Sequence, residues 1–188
     1  VRVEDNGDVI LSGTVSSRSE MQAAVDTAWT VSGVTDVTNE LIISHKNMNM
    51  EDEMIRAEIR KRLQNLQEIE TREIQVEVDA GFVSITGTVD AYWKKIRVKD
   101  EISGIPGVLE ITNEIAVVPT ESVRDEAIAE NIIDSLDRNI LVDVEDIDVR
   151  VNNGHVTLSG TVSSWVERNA AYDAALYTDG VRSIEDEL

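Results

Sequence analysis

Cysteine is absent from this sequence of 188 residues, and aromatic residues make up only 4% of it. Without thiols the chain can form neither a disulfide nor a thiolate metal site. The cellular compartment stays open, because a cysteine-free chain suits the cytosol and the periplasm equally. Hydrophobic residues nevertheless make up 41% of the sequence. The core is therefore predicted to consist of Val, Ile, Leu and Ala.

Long apolar runs are also missing. A transmembrane helix needs about 18 or more consecutive apolar residues, and because no such run occurs, no membrane-spanning segment is predicted. The start of the chain, VRVEDNGDVI, has neither a basic region nor an apolar stretch, so no signal peptide is predicted within it. Positive charge is scarce as well, since 17 Lys and Arg stand against 37 Asp and Glu, a net charge of −20. Such a chain repels phosphate backbones, and no nucleic-acid partner is expected.

Residues suited to catalysis or metal binding are few. The two histidines, His45 and His155, lie in a polar stretch and at a predicted hairpin tip, where exposed turn residues are common. The acidic stretch DNGD at 5–8 lacks the ligand spacing of a calcium loop, and no glycine-rich phosphate loop occurs. The sequence therefore predicts no catalytic residue, no metal site and no cofactor.

One pattern occurs three times, as NGDVILSGTVSS, AGFVSITGTVD and NGHVTLSGTVSSW. Its Gly-Thr pair and a later Gly-Val pair both recur at spacings of 74 and 73 residues. A period of this length suits a small domain rather than a solenoid unit. The predicted organisation is three modules and a polar linker: modules at 1–43, 51–118 and 121–188, and the linker at 44–50.

Each repeat shows the same periodicities. Apolar residues recur every four positions in a first helix, alternate along two strands joined by a glycine turn, and return in a second helix and a last strand. The first-helix stripes are Ile55, Ile59 and Leu63 in the second repeat and Ile128, Ile132 and Leu136 in the third. We predict an α+β fold with the order helix–strand–strand–helix–strand, a three-stranded sheet and both helices on one face. The first repeat contains no counterpart of the first helix.

Six recurring glycines are interpreted as structural. Those of the Gly-Thr pairs lie where the second strand ends and would let the chain bend or let the next helix pack closely. Those of the Gly-Val pairs follow the second helix, as a C-terminal glycine does. The first set is Gly13, Gly87 and Gly160, and the second is Gly33, Gly107 and Gly180.

These residues carry a resemblance to a known family. The pattern G-x-V-x-L-x-G-x-V, followed by a helix and then by G-V-x-x-V-x-N-x-L, resembles the BON domain of bacterial osmotically inducible and nodulation-type envelope proteins. It is seen at Gly154, Val156, Leu158, Gly160 and Val162. The resemblance implies tandem domains, a periplasmic or envelope location, no enzymatic activity, and binding to phospholipid membranes or support of envelope proteins.

The second module has the lowest ratio of acidic to basic residues. Residues 51–118 hold 9 basic and 14 acidic residues, whereas residues 121–188 hold 5 and 16. The candidate lipid- or partner-binding residues are therefore Arg56, Arg60, Lys61 and Arg62 on the first helix and Trp93, Lys94 and Lys95 on the second. One interpretation is an interfacial anchor of Trp and lysines. The other is that the helices pair these cations with their own acids, as Glu58 and Arg62 allow.

Two functional hypotheses follow. The leading one is a non-enzymatic tandem BON protein that binds a membrane surface or envelope proteins in osmotic or envelope stress. The alternative is a soluble, acidic, chaperone-like periplasmic protein that binds no lipid. A homo-oligomer is also expected, because the first module would expose apolar residues such as Val3, Val9 and Leu11.

Overall fold

A computed structural model describes residues 1–4, 7–43 and 52–188. The predicted linker at 44–50, with His45, lies outside the described residues, as do Asp5 and Asn6 of the DNGD stretch. Contacts divide the chain into two compact units. One is Val1–Thr88 with Ile96–Ala116, and the other is Val89–Lys95 with Val117–Leu188.

The first repeat forms a three-stranded sheet with one helix. Its elements are β1 (Arg2–Val3), β2 (Asp8–Val15), α1 (Arg18–Trp29) and β3 (Asp36–Ile43). The middle strand is β2, which runs antiparallel to β1 and parallel to β3. Among the described residues of this repeat, only Val9 and Leu11 are buried hydrophobic side chains, and α1 buries none.

The second repeat contains all five predicted elements. They are α2 (Asp52–Gln64), β4 (Gln75–Asp79), β5 (Phe82–Val89), α3 (Tyr92–Ser103) and β6 (Glu110–Val117), with a short 3-10 helix at Thr71–Glu73. Strand β5 lies between β4 and β6. The predicted stripe of α2 is buried, because Ile55, Ile59 and Leu63 are at most 4% exposed.

The third repeat has the same order. Its elements are α4 (Asp125–Asp137), β7 (Ile147–Asn152), β8 (His155–Gly160), α5 (Trp165–Leu176) and β9 (Ser183–Glu187), with a 3-10 helix at Val144–Asp146. Strand β8 runs antiparallel to β7 and parallel to β9. One cluster joins the stripe of α4, the inward residues of β8 and two alanines of α5: Ile128, Ile132, Leu136, Val156, Leu158, Ala171 and Ala175. Both helices therefore pack on one face of the sheet, as predicted.

Serine caps fix where two of the second helices begin. The Ser17 hydroxyl accepts a hydrogen bond from Glu20 N at 3.2 Å, and the Ser164 hydroxyl accepts one from Glu167 N at 3.2 Å. These bonds satisfy backbone donors that a helix start leaves without partners. Each glutamate in turn reaches back to the residue before the capping serine, because the carboxylates of Glu20 and Glu167 accept hydrogen bonds from Ser16 N and Ser163 N.

The Gly-Thr pairs are explained by a close backbone approach. Gly87 and Gly160 have φ values of 133° and 139°, which L side chains rarely adopt. A Cβ at Gly160 would overlap the carbonyl oxygen of Asp146, and Thr161 N donates a hydrogen bond to that same oxygen at 3.2 Å. The crowding at these glycines comes from the segment before the first strand of the repeat rather than from the next helix.

All six recurring glycines have positive φ, so the backbone itself requires them. Every residue in the buried hydrophobic core of the described chain is Val, Leu, Ile or Ala, as the scarcity of aromatic residues predicted. No helix within 1–4, 7–43 and 52–188 has the length and apolar character needed to cross a membrane.

Candidate binding surfaces

The predicted cations of α2 are mostly paired with neighbouring acids. Arg62 Nε lies 3.4 Å from a Glu58 carboxylate oxygen, and Lys61 Nζ lies 3.6 Å from the other oxygen of the same group. Arg62 also donates through Nη1 to the carbonyl oxygen of Glu101 at 3.1 Å. The pairing of Glu58 with Arg62 that the sequence allowed is therefore present.

Two further residues of α2 differ in their surroundings. Arg56 lies 3.8 Å from Glu53 and donates a hydrogen bond to the carbonyl oxygen of Val78 at 3.3 Å, so its guanidinium ties the helix to β4. Arg60 is exposed and has no ion-pair partner among the described residues. Of the four predicted cations of α2, Arg60 alone is left for an external anion by the described contacts.

The start of α3 holds the predicted aromatic and lysine group. Lys94 Nζ lies 2.7 Å from an Asp90 carboxylate oxygen and 5.5 Å from the centre of the Trp93 ring. The hydrogen bond from Lys94 lowers the pKa of Asp90. Trp93 is half-buried, with its ring centre 6.4 Å from that of Tyr177, and Lys95 is half-buried as well. The side chains of this group are therefore partly buried within the second unit rather than fully exposed on its surface.

The first repeat contains an open apolar groove. Its volume is about 570 Å³, and it lies between the sheet face of β2 and the inner side of α1. Its lining includes Val3, Val9, Leu11, Ala24, Ala28 and Val34. Val3 is 67% exposed, as the sequence predicted, but the prediction was wrong for Val9 and Leu11, which are each only 5% exposed.

The described residues hold no group of three or more side chains suited to binding a metal ion. The exposed His155 hydrogen-bonds through Nδ1 to the Ser183 hydroxyl at 2.6 Å, next to the β7–β8 turn. This position agrees with the turn role that the sequence predicted.

The repeated architecture agrees with a comparison against known families. The BON domain profile matches residues 1–44, 51–119 and 124–188, which together cover nearly the whole chain. The chain belongs to the BON-domain family. Each of its three BON domains contains one of the three sheets.

Comparisons with individual proteins show lower similarity. Osmotically-inducible protein Y of Escherichia coli (strain K12) is 27% identical over 145 residues, covering 74% of this chain and 72% of that protein. Two solved structures concern CdsD, a structural protein of the Type III secretion system of Chlamydia trachomatis. One is 15% identical and covers 97% of this chain and 79% of its own, with a TM-score of 0.30. The other, its C-terminal domain, is 14% identical, with coverages of 98% and 86% and a TM-score of 0.28. These TM-scores are too low to support an inference.

In two of the BON domains an aspartate of the first helix binds the hairpin turn, a contact that the sequence did not predict and that is called the aspartate anchor below. The Asp52 carboxylate accepts hydrogen bonds from Ala80 N at 2.9 Å and Gly81 N at 3.1 Å. In the same way, the Asp125 carboxylate accepts hydrogen bonds from two residues of the β7–β8 turn, Asn153 N at 2.7 Å and Gly154 N at 2.9 Å. The first helix is thereby fixed to the hairpin that it covers. The available signal was the recurrence of an aspartate, Asp52 and Asp125, at the repeat spacing of 73 residues.

A second anchor lies in the third BON domain. Glu167 is only 5% exposed, and its carboxylate accepts hydrogen bonds from Asp143 N at 3.0 Å and from the amide and hydroxyl of Ser163, both at 2.7 Å. These bonds, led by the one from Asp143, lower the pKa of Glu167. The carboxylate thus joins α5 to the segment that precedes β7.

Proposed function

We propose that this BON-domain protein is a non-enzymatic protein of the bacterial cell envelope that acts in osmotic or envelope stress by binding envelope proteins. The family and the similarity to osmotically-inducible protein Y support the stress and envelope assignments. The observation that favours a protein partner over a lipid surface is the pairing of the second domain's cations with its own carboxylates.

The ion pairs of the second domain weaken its attraction to an anionic membrane. A free Lys or Arg close to an anionic membrane contributes roughly 1 kcal/mol of attraction. A carboxylate within ion-pair distance cancels most of that attraction, because the pair presents no net charge to the surface. Pairs of this kind hold Arg56, Lys94 and Arg97, whereas Lys61 and Arg62 share the single carboxylate of Glu58, which balances only one of their two charges. With a net charge of −20 for the whole chain, little attraction to anionic lipid remains.

A phospholipid surface is the second candidate partner. Arg60 and Lys99 are exposed cations without an ion-pair partner among the described residues, and Trp93 lies next to Lys94. Two cations would give weak binding that salt reverses. The remaining alternative is an acidic, chaperone-like role, which the net charge of −11 over residues 121–188 supports.

Vesicle co-sedimentation tests these candidates. The chain is mixed with neutral or anionic vesicles at low and at physiological salt, and the bound fraction is measured. We expect no greater binding to anionic than to neutral vesicles at either salt. Salt-sensitive binding to anionic vesicles that is lost on changing Lys94→Glu with Lys95→Glu would replace this proposal with the phospholipid one.

The matched control is Arg150→Glu with Arg182→Glu, which changes the net charge equally in the third domain. Both arginines are exposed. If both double variants weaken vesicle binding equally, total charge decides it rather than the second domain. Protection of an aggregating client protein without any saturable complex would favour the chaperone-like alternative.

A further inference from the structure

The third domain contains a pocket between its two helices. Its volume is about 670 Å³, and it is lined by residues of α4 and α5 and of the segments that follow these helices. Most of the lining side chains are polar, so the pocket is separate from the aliphatic core of the domain. The lining residues that matter below are Asn131, Ser135, Arg138, Asp173, Ala174 and Asp179.

The second domain fills the equivalent position with an arginine. The two domains are offset by 73 residues, so Ser135 corresponds to Arg62 and Asn131 to Glu58. Arg62 Nε lies 3.4 Å from a Glu58 carboxylate oxygen, and its Nη1 donates a hydrogen bond to the carbonyl oxygen of Glu101 at 3.1 Å. A guanidinium group therefore bridges α2 and α3. The short side chain of Ser135 leaves the matching space between α4 and α5 open.

The end of the second helix favours a cation at this place. The carbonyl oxygens of the last helical turn carry partial negative charge, and Glu101, which accepts the bond from Arg62, lies in the last turn of α3. Neither α4 nor α5, both of which the structure describes in full, has a basic residue in its last turn. Ala174, the counterpart of Glu101, accepts a hydrogen bond from the Thr178 hydroxyl at 2.7 Å, and its carbonyl oxygen keeps a second lone pair.

Other cations of the second domain are also replaced in the third. Burial raises the pKa of Asp100 on α3, and the nearby charges of Lys99 and Arg97 oppose that shift. Its counterpart Asp173 lines the pocket, and partial burial raises its pKa as well. The third domain thus keeps the aspartate, whereas the counterparts of the two cations are uncharged: Tyr172 and Ala170.

We propose that this pocket binds the guanidinium group of an arginine on a partner protein. The bound group lies between α4 and α5, as Arg62 lies between α2 and α3, with the Asp173 carboxylate and the last carbonyl oxygens of α5 as its acceptors. Arginine suits this position better than lysine, because its planar fork of five N–H donors can reach both helices at once. The inference rests on the proposed protein-binding function and names a side chain that the partner supplies.

The charges around the pocket favour a positively charged partner. The lining holds two carboxylates, Asp173 and Asp179, and one guanidinium, that of Arg138. Arg138 is exposed at the C-cap of α4, and the domain around it, residues 121–188, has a net charge of −11. A basic segment is therefore attracted to this domain, and the carboxylates of the lining outnumber its single cation.

A peptide titration followed by NMR tests the proposal. The probe is the pentapeptide Gly-Ala-Arg-Ala-Gly with blocked ends, and in the control peptide the neutral analogue citrulline replaces arginine. Amide signals of the 188-residue chain should shift saturably at Ser135, Ala174 and Thr178, and the citrulline peptide should bind roughly tenfold more weakly or worse. Absence of saturable shifts at these residues, or equal binding of both peptides, overturns the proposal.

Free L-arginine separates a protein partner from a small molecule. Its carboxylate is repelled by the acidic domain, so it should bind more weakly than the blocked peptide. Tighter binding of L-arginine than of the peptide would mean that the pocket takes a free amino acid, and the assignment to a partner protein would be wrong.

A variant that restores the arginine tests where the peptide binds. Ser135→Arg places the residue of the second domain in the pocket and should weaken peptide binding by roughly tenfold or more. Asn169→Arg adds the same charge at an exposed position of α5 outside the lining, and it should leave most of the binding intact. Unaltered binding in Ser135→Arg, or equal losses in the two variants, overturns the proposal.

Asp173→Asn provides an independent test that adds no bulk. Loss of this carboxylate should weaken peptide binding by roughly tenfold. Asp137→Asn, an exposed position of α4 outside the lining, removes the same charge and should have a smaller effect. Equal effects of the two changes count against the pocket. Salt-sensitive vesicle binding would overturn the proposed function without altering the peptide result, so the two failures can be told apart.

Discussion

The first and third domains place equivalent residues on equivalent strands but differ in what covers them. Leu158 of the middle strand lies in one cluster with the alanines of α5, and Leu11 lines one groove with the alanines of α1. In the third domain the aliphatic stripe of α4 completes the core, whereas in the first domain the same face borders an open groove. A strand pattern therefore specifies which side chains face inward, but a second layer is needed before that face becomes a core.

The largest expected effect comes from the glycine of the Gly-Thr pair. Gly160→Ala forces a Cβ onto the Asp146 carbonyl and keeps a positive φ, so it should destabilise the third domain by about 4 kcal/mol. Gly13 has a similar φ of 134°, and a Cβ there would meet no atom of the described residues within 4 Å. Gly13→Ala should cost only the conformational strain, about 1.5 kcal/mol. Hydrogen exchange of each domain measures both, and equal losses would refute the steric explanation.

The strand leucines test the open groove more directly. Leu158→Ala leaves a cavity in a closed core and should cost about 3 kcal/mol. Leu11→Ala enlarges a space that is already open, so we expect about half that loss. Hydrogen exchange of β2 and β8 in urea compares the two. If Leu11→Ala is as costly as Leu158→Ala, the first domain is closed in solution by some other group.

The glutamates after the capping serines differ in burial. Glu167→Ala removes an acceptor from three donors and should destabilise the third domain by about 2 kcal/mol. Glu20 is exposed and bonds Ser16 N, so Glu20→Ala should have a smaller effect on the first domain. Chemical denaturation followed by hydrogen exchange of α1 and α5 distinguishes the two losses.

The lowered pKa of Glu167 also predicts a pH dependence. The hydrogen bonds in the folded state favour the ionised form of the Glu167 carboxylate. Its contribution to the free energy of unfolding is therefore complete above the ordinary pKa of 4.5 and is lost as the pH falls through the lower pKa of the folded state. Exchange of the segment around Ser163 should therefore quicken in that acidic range. Glu167→Gln should remove this part of the pH dependence, and an unchanged profile in that variant would contradict the assignment.

The smallest effect concerns the aspartate anchor. Asp125→Ala removes two hydrogen bonds to a partly exposed turn. The free energy of unfolding should fall by only about 1 kcal/mol, because water can accept hydrogen bonds from the freed amides. The measurement is the unfolding free energy of the third domain in urea. Asp137→Ala, at the other end of the same helix and exposed, is the control and should be nearly neutral. Equal effects would mean that charge near the helix, rather than the turn contact, is responsible.

Much of the fold could be predicted because it depends on local patterns. The spacing of Ile128, Ile132 and Leu136 identified a buried helix face, and the alternation around Gly154 identified a hairpin. The order of strands could not be predicted, because three alternating strands fit several arrangements. The structure places the second strand of each repeat in the middle.

The candidate site was predicted less well than the fold. The sequence located the basic residues and allowed for their pairing, but it could not decide between free and paired cations. That choice depends on side-chain geometry, as in the double pairing of Glu58. The Asp125 anchor joins residues 28 and 29 positions apart, a contact that periodicity does not report.

The sequence by itself determined the repeat, the order of elements and the positions where glycine is required, because these follow from neighbours along the chain. Only the tertiary structure decided which partner each of these positions meets. Gly160 is crowded by Asp146 and Gly180 by Ile128, whereas a Cβ at Gly13 or Gly33 would meet no atom within 4 Å in the part of the chain that the structure describes. The same residues thus acquire different roles, since packing depends on atoms that are distant in sequence and near in space.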